Sequence, residues 1–157
     1  MRGNTRSLND NDATCEKPPF YAIAHMTNLV SSAKWGLEQG ANALEMDLNF
    51  DTWKFHHGVP CDCTCQTASM EGICSLKEPV CKDSTDVDTM FEELAKPEHR
   101  NQLAMVYVDS KIDSIEGSQT DAGKRVAEAL ENGLFGRGYE GIAIVSAPKL
   151  SGVEYLK

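Results

Sequence analysis

The chain predicts an α/β fold built on a largely parallel sheet, and three observations carry that expectation. Four apolar runs, FYAIAH at 20–25, ALEMDLNF at 43–50, LAMVYVD at 103–109 and GIAIVSAP at 141–148, have the length and composition of buried strands. Stretches with helical spacing of apolar residues separate them, near 29–37, 87–94 and 126–134. Strand and helix therefore alternate along the chain, the order that forms a parallel sheet with helices outside.

Taken in order, residues 1–18 mix Asn, Asp, Arg and Thr without a hydrophobic period and run into Pro18 and Pro19, which favours a flexible tail ahead of a folded portion at 19–157. After the first strand, Thr27 or Asn28 can cap a helix with Leu29, Val30, Ala33 and Leu37 on one face and Gly40 at its end. In the second strand Glu45, Asp47 and Asn49 recur at a spacing of two and so share one face. WKFHH at 53–57 either extends that strand or turns back from it. The segment 60–81 holds Gly, Ser, Thr and Pro without a period and reads as a long loop. After Asp83 or Ser84, Val87, Met90, Phe91 and Leu94 form a helical face that stops before Pro97, and the third strand follows. Thr120 or Asp121 opens a last helix with Val126, Ala129, Leu130 and Leu134 on one side, ahead of the fourth strand.

Two architectures accommodate this order. An open doubly wound sheet could be complete in 157 residues. A (β/α)8 barrel typically needs roughly 250 residues, so the four strands would be its first half. AHMTNL stands where a dinucleotide fold needs G-x-G-x-x-G, which disfavours that function.

Composition narrows the classes further. With 41% hydrophobic and 25% charged residues the chain can build a packed core, and 15 basic against 24 acidic residues leave a net charge of −9 that disfavours nucleic acid. No run of about 18 apolar residues is present to span a membrane. The opening MRGNTRSLNDND lacks the apolar stretch of a secretory signal, so no signal peptide is visible. Of the six cysteines, Cys15, Cys61, Cys63, Cys65, Cys74 and Cys81, five fall in the long loop, which fits disulfides formed in an oxidising compartment. Zinc is the weaker reading, because Cys61, Cys63 and Cys65 alternate where a knuckle uses C-x-x-C pairs.

The chemistry concentrates in few residues. Glu45 and Asp47 on one side of a strand repel unless protons or a cation intervene, and Asp109 falls at the carboxyl edge of another strand, where sites collect in parallel sheets. Three carboxylates without thiolates favour one hard ion, Mg2+ ahead of Ca2+ or Mn2+. The plainer reading has Asp109 capping a turn and Glu45 paired with a lysine. His25 ends the first strand and His57 opens the cysteine loop, so both can reach the same rim. Two imidazoles beside a cation suit phosphodiester cleavage, in which one group takes a proton, another returns one, and positive charge offsets the phosphoryl oxygens. His56, turned away from His57 on an extended chain, and His99, in the polar KPEHRNQ linker, read as ordinary polar residues.

AHMTN at 24–28, GANALEMDLNFD at 40–51, HGVPCDC at 57–63 and VDSK at 108–111 together resemble the sphingomyelinase D, or phospholipase D, toxins of spiders and ticks, within the glycerophosphodiester phosphodiesterase-like superfamily. The likeness runs from about 19 to about 148 and corresponds to the first half of that family's barrel. It implies His25 and His57 as the acid/base pair, Glu45, Asp47 and Asp109 as Mg2+ ligands, Lys111 as the lysine that approaches the phosphate, and Asp62 as a residue orienting His57. It also implies a secreted enzyme that acts at a membrane or lipoprotein surface, releases choline from sphingomyelin or lysophosphatidylcholine and leaves a cyclic phosphate. The alternatives are a phosphodiesterase for soluble glycerophosphodiesters and a catalytically inert secreted fragment. Cys65, Cys74 and Cys81 depart from the family's loop, and their pairing stays open among the fifteen connectivities of six cysteines.

Overall fold

The computed structural model describes residues 20–57 and 84–157. The tail at 1–18, all six cysteines with their expected disulfide-held loop, and Asp62 lie outside those residues.

Strand β1 (Ile23–Ala24) leads through helix α1 (Val30–Glu38) to strand β2 (Ala43–Asn49) and the short strand β3 (Lys54–Phe55). Strand β4 (Thr85–Asp86) passes directly into helix α2 (Val87–Leu94), followed by the single turn α3 (Pro97–Arg100) and strand β5 (Met105–Lys111). Helix α4 (Gln119–Gly133), strand β6 (Ile142–Ser146) and a 3-10 segment, Leu150–Leu156, complete the order. β1, β2, β5 and β6 pair side by side in chain order and all run parallel. The expected mixed α/β fold with a mostly parallel sheet is therefore present.

Local differences from the sequence expectation have identifiable causes. WKFHH turns back: β3 pairs antiparallel with β2, Phe55 opposite Leu48, and β4 adds to β3. Asp51 Oδ1 accepts the Thr52 N–H at 2.8 Å and Trp53 takes φ 55°, which together reverse the chain. Helix α2 is capped by Asp86, past the expected opening at Ser84; its carboxylate accepts the Thr89 N–H at 2.9 Å and the Thr89 hydroxyl at 2.8 Å, while Asp83 lies outside the described residues. Helix α4 opens on Ser118, whose hydroxyl accepts the Asp121 N–H at 3.2 Å, ahead of the expected Thr120 or Asp121. At α1 neither Thr27 nor Asn28 is the cap; Leu29 is, with its N–H donating to the Ser32 hydroxyl at 3.1 Å. Gly40 does end this helix, at φ 93°, with its N–H on the Leu37 carbonyl at 3.0 Å.

Alternation along the strands separates two faces. Leu44, Met46 and Leu48 of β2 and Val106 and Val108 of β5 form the core with Leu37 of α1, Met90, Phe91 and Leu94 of α2, and Val126 and Leu130 of α4. Burial of these side chains is the main stabilising term, roughly 1.5–3 kcal/mol for each large one. Register places Glu45 beside Tyr107, Asp47 beside Asp109, and Asp109 beside Ser146 on the other face. Ile142 and Ile144 on that face stay 49% and 38% exposed, whereas Ala143 and Val145 pack against the core. No helix among the described residues is long and apolar enough to cross a membrane.

Candidate metal centre

Two strands bring the acidic residues together. The spacing of two puts Glu45 and Asp47 on one face of β2, and parallel register sets Asp109 of β5 beside Asp47. One carboxylate oxygen from each of Glu45, Asp47 and Asp109 lies within 4.8 Å of the others, near the carboxyl ends of the strands. Asp47 is 1% exposed, Glu45 is also buried, and Asp109 is half-buried.

Each carboxylate is held by a partner that the structure supplies. The Met26 N–H donates to Glu45 Oε2 at 2.6 Å. The Asn28 carboxamide donates to Asp47 Oδ2 at 2.9 Å and accepts the Asp47 N–H at 2.8 Å. The Ser146 hydroxyl donates to Asp109 Oδ1 at 2.9 Å. Lys111 extends from the end of β5, which runs two residues past Asp109, and its Nζ stands 2.6 Å from Asp47 Oδ1 and 2.7 Å from Asp109 Oδ2. The continued strand sets Lys111 on the same face as Asp109 and makes it the internal counter-charge of the cluster. The lysine thus pairs with Asp47 and Asp109, while Glu45 faces the imidazole of His25.

The electrostatics follow from this packing. Burial holds the Glu45 carboxyl above the usual carboxylate range, and the charge of Asp47 adds to it against the opposing Met26 N–H. Burial pushes Asp109 upward too, but hydrogen bonds from Lys111 and Ser146 outweigh it and keep the carboxyl below its ordinary value. Burial alone would lower Lys111; its hydrogen bonds to Asp109 and Asp47 prevail and raise it.

The histidines take different places. His25 Nε2 lies 3.7 Å from Glu45 Oε2, on an exposed side chain. His57 is exposed as well, and its charge acts on Asp109. His56 is engaged elsewhere, with Nε2 3.1 Å from the Thr52 hydroxyl and Nδ1 3.4 Å from Asn49 Nδ2. His99 meets Glu93 at 3.2 Å, away from the cluster.

Sequence reasoning missed three contributors: Met26, Asn28 and Ser146. Asn28 reads as a helix cap in sequence, yet its side chain is directed onto β2. The signal for it was proximity, since MTN follows His25 at the carboxyl end of β1 and β2 is its neighbour. The donor set suits a divalent cation. It offers hard carboxylate oxygens only, and the ammonium now between two of them shows that positive charge is accommodated at that point.

Comparison with known proteins gives the family. The family model described as "Dermonecrotic toxin SPH" matches residues 15–147. The chain belongs to the dermonecrotic toxin family, the sphingomyelinase D toxins. Dermonecrotic toxin LiSicTox-betaIA1i of Loxosceles intermedia is 32% identical over 130 residues, which cover 80% of this chain and 40% of that toxin. Dermonecrotic toxin LapSicTox-alphaIB1aiii of Loxosceles apachea is 29% identical over 139 residues, 83% of this chain and 48% of the toxin. Dermonecrotic toxin LlSicTox-alphaIV2i of Loxosceles laeta is 28% identical over 154 residues, 87% and 50% respectively. The chain spans about half the length of the curated relatives it matches.

Proposed function

We propose that the chain carries the metal-binding half of a secreted, Mg2+-dependent phospholipase D of the sphingomyelinase D type. The observation that carries this reading is the convergence of Glu45, Asp47 and Asp109 on one point at the carboxyl edge of the sheet, with His25 alongside. The order of the parallel strands supports the first half of a (β/α)8 barrel over an open doubly wound sheet, because it contains no reversal among the described residues.

Glu45, Asp47 and Asp109 would hold the ion through one oxygen each. Mg2+ bound there would neutralise charge on the phosphoryl oxygens of the substrate. The remaining chemistry belongs to the side chains. A hydroxyl of the sphingolipid or lysophospholipid attacks phosphorus, and the bond between phosphorus and the choline oxygen breaks. One imidazole of the pair His25 and His57 takes the proton from the attacking hydroxyl, and the other protonates the departing choline oxygen, so a cyclic phosphate and choline result. Lys111, a flexible point charge, would add a second cation for the phosphoryl group. In this reading Asp62 orients His57, disulfides among Cys61, Cys63, Cys65, Cys74 and Cys81 hold the loop that follows, and the enzyme works at a membrane or lipoprotein surface.

Phosphorus NMR of sphingomyelin and lysophosphatidylcholine, incubated with the protein in Mg2+ or in chelator, tests the proposal. Cyclic phosphate formed only with Mg2+ is expected. Turnover of glycerophosphocholine in preference to both lipids would assign the soluble-substrate activity instead, and no turnover of any of the three would identify an inert binding fragment.

A further inference from the structure

We infer that Asn28 is a positioning residue of the metal centre, one that makes Asp47 a single-oxygen ligand and thereby favours a small divalent ion over a large one. The inference rests on the reading that the three carboxylates bind Mg2+.

The Asn28 side chain is 0% exposed and contacts Asp47 twice, through the backbone N–H at 2.8 Å and through Oδ2 at 2.9 Å. Two contacts from one carboxamide hold both the backbone and one carboxylate oxygen of Asp47, leaving the other, Oδ1, to Lys111 Nζ at 2.6 Å. A carboxylate oxygen that accepts a hydrogen bond from a buried amide has one lone pair committed and its direction set, which favours coordination of an ion through the other oxygen. Mg2+ demands near-octahedral single-oxygen ligands at about 2.0–2.1 Å, whereas Ca2+ accepts two-oxygen carboxylates at about 2.3–2.6 Å in flexible shells. The pattern repeats across the cluster, since Met26 engages Oε2 of Glu45 and Ser146 engages Oδ1 of Asp109. Asn28 is the most deeply placed of these partners.

The segment that carries it is anchored to the same strand. The Thr27 N–H and hydroxyl both donate to the Glu45 carbonyl at 2.8 Å. Met26 adopts φ 58°, a left-handed conformation uncommon for a residue other than glycine, and it directs its N–H at Glu45. Asn28 also stands where a helix-capping asparagine would be ordinary, yet α1 is capped without it. Three successive residues are therefore turned toward the two β2 ligands.

Calorimetric titration of Mg2+ and, separately, Ca2+ into the protein at its natural full length, beside Asn28→Ala and Asn28→Ser, tests the role. Loss of a ligand-orienting partner weakens metal binding by about 10–100-fold. We expect a loss of that size for Mg2+, with Ca2+ changed much less, so that the preference for Mg2+ narrows. Equal weakening of both ions, or a lower melting temperature in chelator with unchanged affinities, would mean a structural role only and overturn the inference. Should neither variant fold, nitrogen NMR of the wild-type protein decides. Asn28 carboxamide resonances that shift as Mg2+ is added support the role, and resonances unmoved at saturation overturn it. Wild-type protein that binds no Mg2+ would overturn the metal reading and this inference together, whereas intact binding with unaltered variants overturns this inference alone.

Discussion

Removing the Lys111 ammonium while keeping its length, as in Lys111→Met, exposes how the acidic cluster is stabilised. Its Nζ is 2.6 Å from Asp47 Oδ1 and 2.7 Å from Asp109 Oδ2. At an effective dielectric of about 20, each contact is worth on the order of 6 kcal/mol of attraction before desolvation is counted. Withdrawing the charges from water offsets most of that, but Asp47 cannot regain water when its partner is deleted, because its side chain is only 2% exposed. Breaking a buried pair from one side costs about 3–5 kcal/mol, and the 25% exposure of the lysine side chain places the expected loss near about 3 kcal/mol. Divalent metal should narrow the deficit, because in wild type the ion must displace the ammonium and in the variant it need not. The variant therefore binds Mg2+ more tightly, and each tenfold gain in its affinity over wild type recovers about 1.4 kcal/mol at saturating metal. Urea unfolding followed by circular dichroism, in chelator and in Mg2+, measures both quantities. A variant as stable as wild type in chelator, or one whose deficit Mg2+ leaves untouched, would refute the assignment of Lys111 as the counter-charge of a cation-binding cluster.

Other perturbations test separate parts of the molecule. His25→Ala and His57→Ala should each reduce choline release from sphingomyelin by about 10²–10⁴-fold, with calorimetric Mg2+ affinity nearly unchanged. Glu93 of α2 receives Lys34 of α1 at 2.8 Å and Lys96 at 2.7 Å, and the hydrogen bonds from these two lysines pull its carboxyl down from 4.5 to about 2. A depressed carboxyl stabilises the fold fully above its ordinary value and loses that contribution as pH falls toward the folded value, so the wild-type melting temperature should drop between pH 4.5 and about 2. Glu93→Gln should flatten that drop and cost about 1 kcal/mol near neutrality, a modest figure because both lysines are half-exposed. At Gly36 an added Cβ would stand 2.8 Å from the Ala24 Cβ, so Gly36→Val should push α1 off β1 and cost about 1–3 kcal/mol by thermal unfolding.

What could be read from the sequence was local and periodic. Glu45 and Asp47 share a face because side chains alternate along any strand, and Leu130 and Leu134 share one because helices repeat at 3.6 residues. Asp109 was legible by its place at the end of an apolar run. Lys111 was known as a chemical group but not as a partner of Asp47, because that pairing depends on β5 continuing two residues past Asp109 and on its register with β2. The caps were misplaced for a related reason. Asn28 and Thr27 carry capping side chains, and tertiary contacts to β2 outcompete the local helix terminus for them. The reversal at Trp53 likewise depends on a φ angle that no hydrophobic pattern encodes.

The most direct test of the metal centre is anomalous diffraction from crystals of the protein grown with Mn2+ as the heavier substitute for Mg2+. A single peak bounded by one oxygen from each of Glu45, Asp47 and Asp109, with the Lys111 ammonium displaced from Asp47, is expected. Full occupancy of Mn2+ at any other place, with Lys111 still bridging Asp47 and Asp109, would contradict the assignment.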